Sequence, residues 1–168
     1  MRMITGFIVF LIILGMIVTA SQGSLAQKGV QTGDIGKTFV LDSPRTETHV
    51  SVTLNSVKRQ SFYINKDGSK TEAPKGREFV IVNVTVKNIG HIKASVFPSG
   101  FALSDNYGNI FDPLSAYGMY VYDPYNIRGL YYNEQWGGKI IFKIPKGSGR
   151  LTLNYFIMKW EIPKHLAD

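Results

Sequence analysis

Four carboxylates, Asp105, Asp112, Asp123 and Glu134, fall close together around a tyrosine-rich stretch. Two carboxyl groups held ~5 to 10 Å apart would cleave a glycosidic bond, and several converging oxygens would hold calcium. Turn chemistry explains the same residues more simply. Asp105 opens an Asn-Tyr-Gly-Asn turn, while Asp112 and Asp123 each precede a proline, where aspartate commonly starts a turn. Neither the turn at Asn65 nor that at Asp105 continues into the ligand ladder of an EF-hand. Nucleophilic catalysis needs an activated nucleophile beside a base. The chain has no cysteine and no G-x-S-x-G elbow, and His49, His91 and His165 share no ligand-like spacing. No catalytic residue, metal site or cofactor is therefore expected. The enzymatic alternative is a carboxylate-based hydrolase of envelope polysaccharide, with two of the four acids converging in one cleft.

Binding chemistry is better represented. Tyr117, Tyr120, Tyr122, Tyr125, Arg128, Tyr131 and Tyr132, closed by Trp136, gather the residue types that dominate contact surfaces: stiff, amphipathic rings with an arginine. The competing reading is that these rings cap an open end of the fold. A net charge of +7 would suit anionic surfaces. The basic residues are dispersed, however, with only Lys58 and Arg59 adjacent, and they lack the clustered basic-aromatic pattern of a nucleic-acid binder. Asn83, in Asn-Val-Thr, forms a glycosylation sequon.

The elements that must position these residues begin with an address. Arg2 precedes an uncharged apolar run at 4–20, followed by small residues with two small-x-small cleavage spacings, at 18–20 and 24–26. Residues 1–26 read as a signal peptide or, uncleaved, as a membrane anchor, since seventeen apolar residues are long for a leader and short for a span. Either way the rest of the chain is placed outside the cytoplasm, secreted or anchored by this segment. Small polar residues make 27–34 a flexible linker, a single domain follows over 35–162, and 163–168 form a tail. The domain has period two almost throughout. Val50, Val52 and Leu54 share one face, and so do Val80, Val82, Val84 and Val86 in what reads as the central strand. Ile140, Phe142 and Ile144, then Leu151, Leu153, Tyr155 and Ile157, make two further strands. Turn residues at 65–68, 88–90, 106–109 and 145–149, with Gly137 and Gly138 before a strand, give about seven strands at sandwich spacing. The expected fold is all-β, an antiparallel β-sandwich without disulfides.

Three segments carry a resemblance: GREFVIVNVTVKNIG at 76–90, FALSDNYGNIF at 101–111 and GKIIFKIP at 138–145. In this order they resemble the hallmark strand, hairpin and later strand of the secreted immunoglobulin-like domains known as domain of unknown function 4352, within the immunoprotective extracellular antigen superfamily. The resemblance covers about residues 35–157. It implies an immunoglobulin-like sandwich displayed outside the cell, with no established catalytic residues. Two departures stand out: the lipid-anchored cysteine is missing, and 132–136 (YNEQW) replaces a commoner Pro-Gly-x turn. The expected function is an exported or envelope-associated, non-enzymatic binding module. Its partner would be a protein or glycan of the cell envelope, with membrane contact through the N-terminal segment if uncleaved, and no nucleic acid.

Overall fold

A computed structural model describes residues 30–43, 48–65, 67–114 and 128–164. In chain order the strands are Gln31–Gly33 (β1), Thr38–Ser43 (β2), Thr48–Gln60 (β3), Phe62–Ile64 (β4), Lys70–Glu72 (β5), Arg77–Asn88 (β6) and Ala94–Val96 (β7). They continue with Phe101–Asp105 (β8), Ile110–Phe111 (β9), Arg128–Leu130 (β10), Gln135–Pro145 (β11), Leu151–Tyr155 (β12) and Met158–Ile162 (β13). One sheet has the order β11-β6-β3-β2 and the other β1-β13-β12-β8-β9, with β10-β7 and β4-β5 as two-stranded ribbons. The result is an all-β sandwich.

The valine run forms the middle of the first sheet because its alternation gives β6 an apolar face from Val80 to Val86. Val80, Val82, Val84 and Val86 are fully buried, as expected, with Ile140 and Phe142 of β11 in register with Val82 and Val80. From the facing sheet Leu103, Leu151, Leu153, Met158 and Trp160 complete the core. Each such side chain contributes roughly 1.5–3 kcal/mol by leaving water. Contacts to the backbone bridge the two open sides of the sandwich. On one side the Trp160 Nε1 donates to the Lys37 carbonyl at 2.9 Å and the Gly36 N–H to the Leu54 carbonyl at 2.7 Å. On the other, Pro113 bridges to Phe142 beyond β9.

The structure corrects the expectation in four places. Among the described residues nine strands, rather than about seven, fill the two main sheets, because strands of two or three residues such as β1 and β9 are too short to display a period. The sandwich is not wholly antiparallel, since β1 runs parallel to β13, and it lies within the stretch whose composition reads as linker. Gly137 and Gly138 sit inside β11 rather than before it. Ile157 belongs to the turn between β12 and β13, which ends the strand at Tyr155. A bulge between Leu54 and Ser56 also reverses the parity of β3, so Val57 and Arg59 face the interior. Arg59 caps that end of the core. Its Nη2 donates to the carbonyls of Ser148 and Gly149 at 2.8 and 3.0 Å, and its Nη1 lies 3.9 Å from Glu78.

Tyr155 packs face to face on Phe101, ring centroids 4.1 Å apart, and burial pushes its phenol up to about 12 from the ordinary 10.0. A raised folded-state pKa gives a contribution that is complete below the unfolded value and lost as pH climbs through the folded one. Between about pH 10 and pH 12 the domain should therefore lose roughly 2–3 kcal/mol more than a Tyr155→Phe variant, at about 1.36 kcal/mol per unit. Parallel urea midpoints for the two proteins across that range would contradict the burial of the hydroxyl.

Candidate functional site

Strand directions place the loops at two ends. Gln31 pairs with Met158, and its N–H donates to the Ile157 carbonyl at 3.0 Å, so the chain enters beside the β12-β13 turn. At this entry end β6 stops at Asn88, β11 begins at Gln135 opposite Lys87, and Phe101 pairs with Tyr155. The opposite end carries the 106–109 turn and the 146–150 loop, which meet where Gly149 approaches the Asn106 side chain.

Asn88 builds the entry end. It is fully buried, and its amide donates to the carbonyls of Ile92 and Leu130, both at 2.8 Å, while its Oδ1 accepts from the Gly90 N–H at 2.9 Å. Its backbone takes two more bonds, N–H to the Glu134 carbonyl and carbonyl from the Asn133 N–H, both 2.9 Å. One side chain thus ties the end of β6 to the 89–92 loop, β10 and the 131–134 turn. The glycine two residues on is required by contact, because a Cβ at Gly90 would lie 2.8 Å from the His49 Cβ. In the 131–134 turn Asn133 takes φ 66°, the left-handed region that asparagine tolerates. The Glu134 carboxylate accepts from the Tyr131 N–H at 2.9 Å. These contacts do the work of the Pro-Gly turn.

The turn and the loop it meets present a polar-aromatic corner. Tyr131 and Tyr132 are 61% and 59% exposed. His91 stacks on Tyr132 with ring centroids 5.1 Å apart, and the Lys93 ammonium lies 5.1 Å from the centre of the Tyr131 ring. Lys93 reaches that ring by crossing Gly129, where any Cβ would collide with it. Beside the rings an open groove of about 460 Å³ is lined by His49, Ile89, Gly90, His91 and Ile92. His49 is held by Asp42, with Nδ1 to Oδ1 at 3.0 Å. The corner thus combines two exposed tyrosine rings, one lysine ammonium and two exposed isoleucines.

The sequence candidates separate in the structure. Tyr131 and Tyr132 form the corner, whereas Tyr117, Tyr120, Tyr122, Tyr125, Asp123 and His165 and the Arg128 side chain lie outside the described residues. Trp136 is a correction: it is 3% exposed and part of the core, so it offers no contact surface. Its position has the parity of Ile140 and Ile144, and its indole occupies the space over Gly138, where a Cβ would sit 2.4 Å from the ring. Asp105 organises a turn. Its carboxylate accepts from the N–H groups of Tyr107 and Asn109, both at 2.9 Å, and from the Asn109 amide at 2.8 Å, which with the Asn109 side chain first holds its pKa below the usual range. Asp105 and Glu134 stand at opposite ends, so those two acids do not converge. Asn83 faces outward from β6 between its partner strands and is half-buried. Composition does not single out Ile89, His91, Ile92 and Lys93 as contact residues. Two isoleucines flanking a turn glycine beyond the end of a strand were the available signal.

With the geometry in place, comparison with known proteins gives a consistent picture. The family model described as Domain of unknown function (DUF4352) matches residues 18–161. Among solved structures the chain is similar to MPT63, a secreted protein of Mycobacterium tuberculosis, at 18% identity and TM-score 0.59, over 78% of this chain and 96% of that one. It is also similar to the yjhA protein of Bacillus subtilis, at 26% identity and TM-score 0.53, over 73% and 81%. An uncharacterized β-sandwich protein of Clostridium difficile aligns at 14% identity and TM-score 0.53, over 80% and 94%. No curated protein matches the chain.

Proposed function

The chain belongs to the family of domains of unknown function 4352, and from that premise we propose that it is an exported, immunoglobulin-like interaction module of the cell envelope without enzymatic activity. The observation that carries this reading is the corner itself: two adjacent exposed tyrosines, one stacked on a histidine and one beneath a lysine, fixed by a buried asparagine. Clustered exposed aromatics of this kind mark contact sites on otherwise polar surfaces. The uncharged run at 4–20 behind Arg2 supports export, and the similarity to a secreted protein agrees with it. A glycosidase is less well supported, since Asp105 and Glu134 are held apart by the length of the sandwich.

The test has two parts. Protease added to intact cells should digest the domain, or the domain should be found in the medium; full protection inside the cytoplasm would refute export. Isolated cell envelopes should sediment with the full chain and retain far less of a folded Tyr131→Ala, Tyr132→Ala double variant. Equal retention would remove the corner from the contact.

A further inference from the structure

Large apolar side chains stay exposed at both ends of this sandwich, with Tyr107 and Ile110 at the β8-β9 hairpin and the larger group at the entry end. Besides Tyr131 and Tyr132, the entry end exposes Val30, Ile89, Ile92 and Phe156. Phe156 is the most conspicuous. It is 64% exposed at the apex of the β12-β13 turn and takes φ 51°, a left-handed conformation that a bulky side chain adopts at a cost. Glycine would serve the turn better. A strained residue kept at an exposed apex is the pattern of a site that uses its side chain. The Phe156 ring stands edge-on to Tyr155 at 4.8 Å, which fixes it in place.

The same end is where the chain arrives from its apolar N-terminal run. Nine residues, 21–29, separate the end of the small-residue-bounded run at 4–20 from Val30. Nine residues can reach at most about 30 Å. A domain tethered so briefly meets the surface that holds its tether far more often than anything else. Tyrosine rings settle at the headgroup level of a bilayer, phenylalanine rings enter the boundary between headgroups and acyl chains, and lysine stems lie along apolar surface while the ammonium reaches phosphate. Lys93, over the Tyr131 ring, and Lys159, exposed near the start of β13, supply those cations.

We propose that the entry end rests on the lipid bilayer in which residues 4–20 are retained, with Tyr131 and Tyr132 at headgroup depth and Phe156 at the boundary between headgroups and acyl chains. This names the partner of the contact surface proposed above, and it rests on that reading. The 106–109 turn then points away from the membrane, with Tyr107, which is 79% exposed, at its tip.

Because the chain has no cysteine, single reporters are clean. Full-length Phe156→Cys, Tyr132→Cys and Tyr107→Cys would each carry an environment-sensitive fluorophore in vesicles of phosphatidylcholine and phosphatidylglycerol containing nitroxide-labelled lipid. Fluorescence should be lost at 156 and 132 and kept at 107. In intact cells an impermeant maleimide should react readily at 107 and slowly at 156 and 132. Equal reaction at all three sites overturns the bilayer contact and leaves export standing, whereas no reaction at any site ends the export reading and this inference with it. Protection in cells without quenching in vesicles assigns the end to a protein or glycan and overturns the proposal, as does release of the domain into the medium.

Discussion

Val82→Asp abolishes the folded state, whereas Thr85→Asp, three residues along the same strand, leaves it nearly intact. Val82 is fully buried, in register with Ile140 on one side and Val57 on the other. A carboxylate there has no partner and no water, and burying an uncompensated charge is among the few single changes that cost more than about 4–5 kcal/mol. Domains of this size are stable by only about 5–15 kcal/mol. Thr85 faces outward, and its Oγ1 accepts a hydrogen bond from the Asn55 amide at 2.9 Å, a role a carboxylate oxygen can take over. Urea titration followed by the buried tryptophans separates the two variants. Similar midpoints would mean that the inward and outward faces of β6 are exchanged.

The parts of the fold legible from sequence are those where a single period lasts long enough to count. The central β6, the inward faces of β11 and β12, and the turns at 65–68 and 106–109 follow from alternation and from glycine or asparagine at the bends. Arg59 shows where that reasoning fails. Beside Lys58 it reads as surface charge, but one extra residue at Asn55 and Ser56 reverses the parity and turns it inward toward the 148–149 carbonyls. Ile141 fails differently. It faces the outer side of its sheet, yet is buried with Tyr63 and Phe79 under the β4-β5 ribbon, a long-range contact that no local pattern encodes. The contact surface was half legible: composition singled out Tyr131, Tyr132 and Trp136 together, but only parity within β11 puts Trp136 inside. Ile89, His91 and Lys93 join the tyrosines through Asn88, forty-odd residues away in sequence, and nothing short of the fold brings them together.

Asn88→Ala should be the most damaging polar substitution at the entry end. It deletes three hydrogen bonds at once and leaves the Ile92 and Leu130 carbonyls and the Gly90 N–H without that partner. An orphaned buried group costs about 1–3 kcal/mol. The losses are not additive, because the Gly90 N–H keeps a longer bond to the His49 carbonyl at 3.2 Å, so a total of about 3 kcal/mol is expected. Asn88→Asp offers no rescue: it retains an acceptor for Gly90 but turns a carboxylate toward two carbonyls in a buried site. The damage should also be local before it is global. Amide exchange at Gly90 and Asn133, which Asn88 holds through its side chain and its carbonyl, should accelerate well before exchange in β6. The two tyrosines would then lose their fixed geometry, and envelope retention should fall even where the sandwich remains folded. A variant within about 0.5 kcal/mol of the parent, as is usual for surface substitutions, would show that the loop, β10 and the turn hold together without the asparagine, and that the corner owes its shape to other contacts.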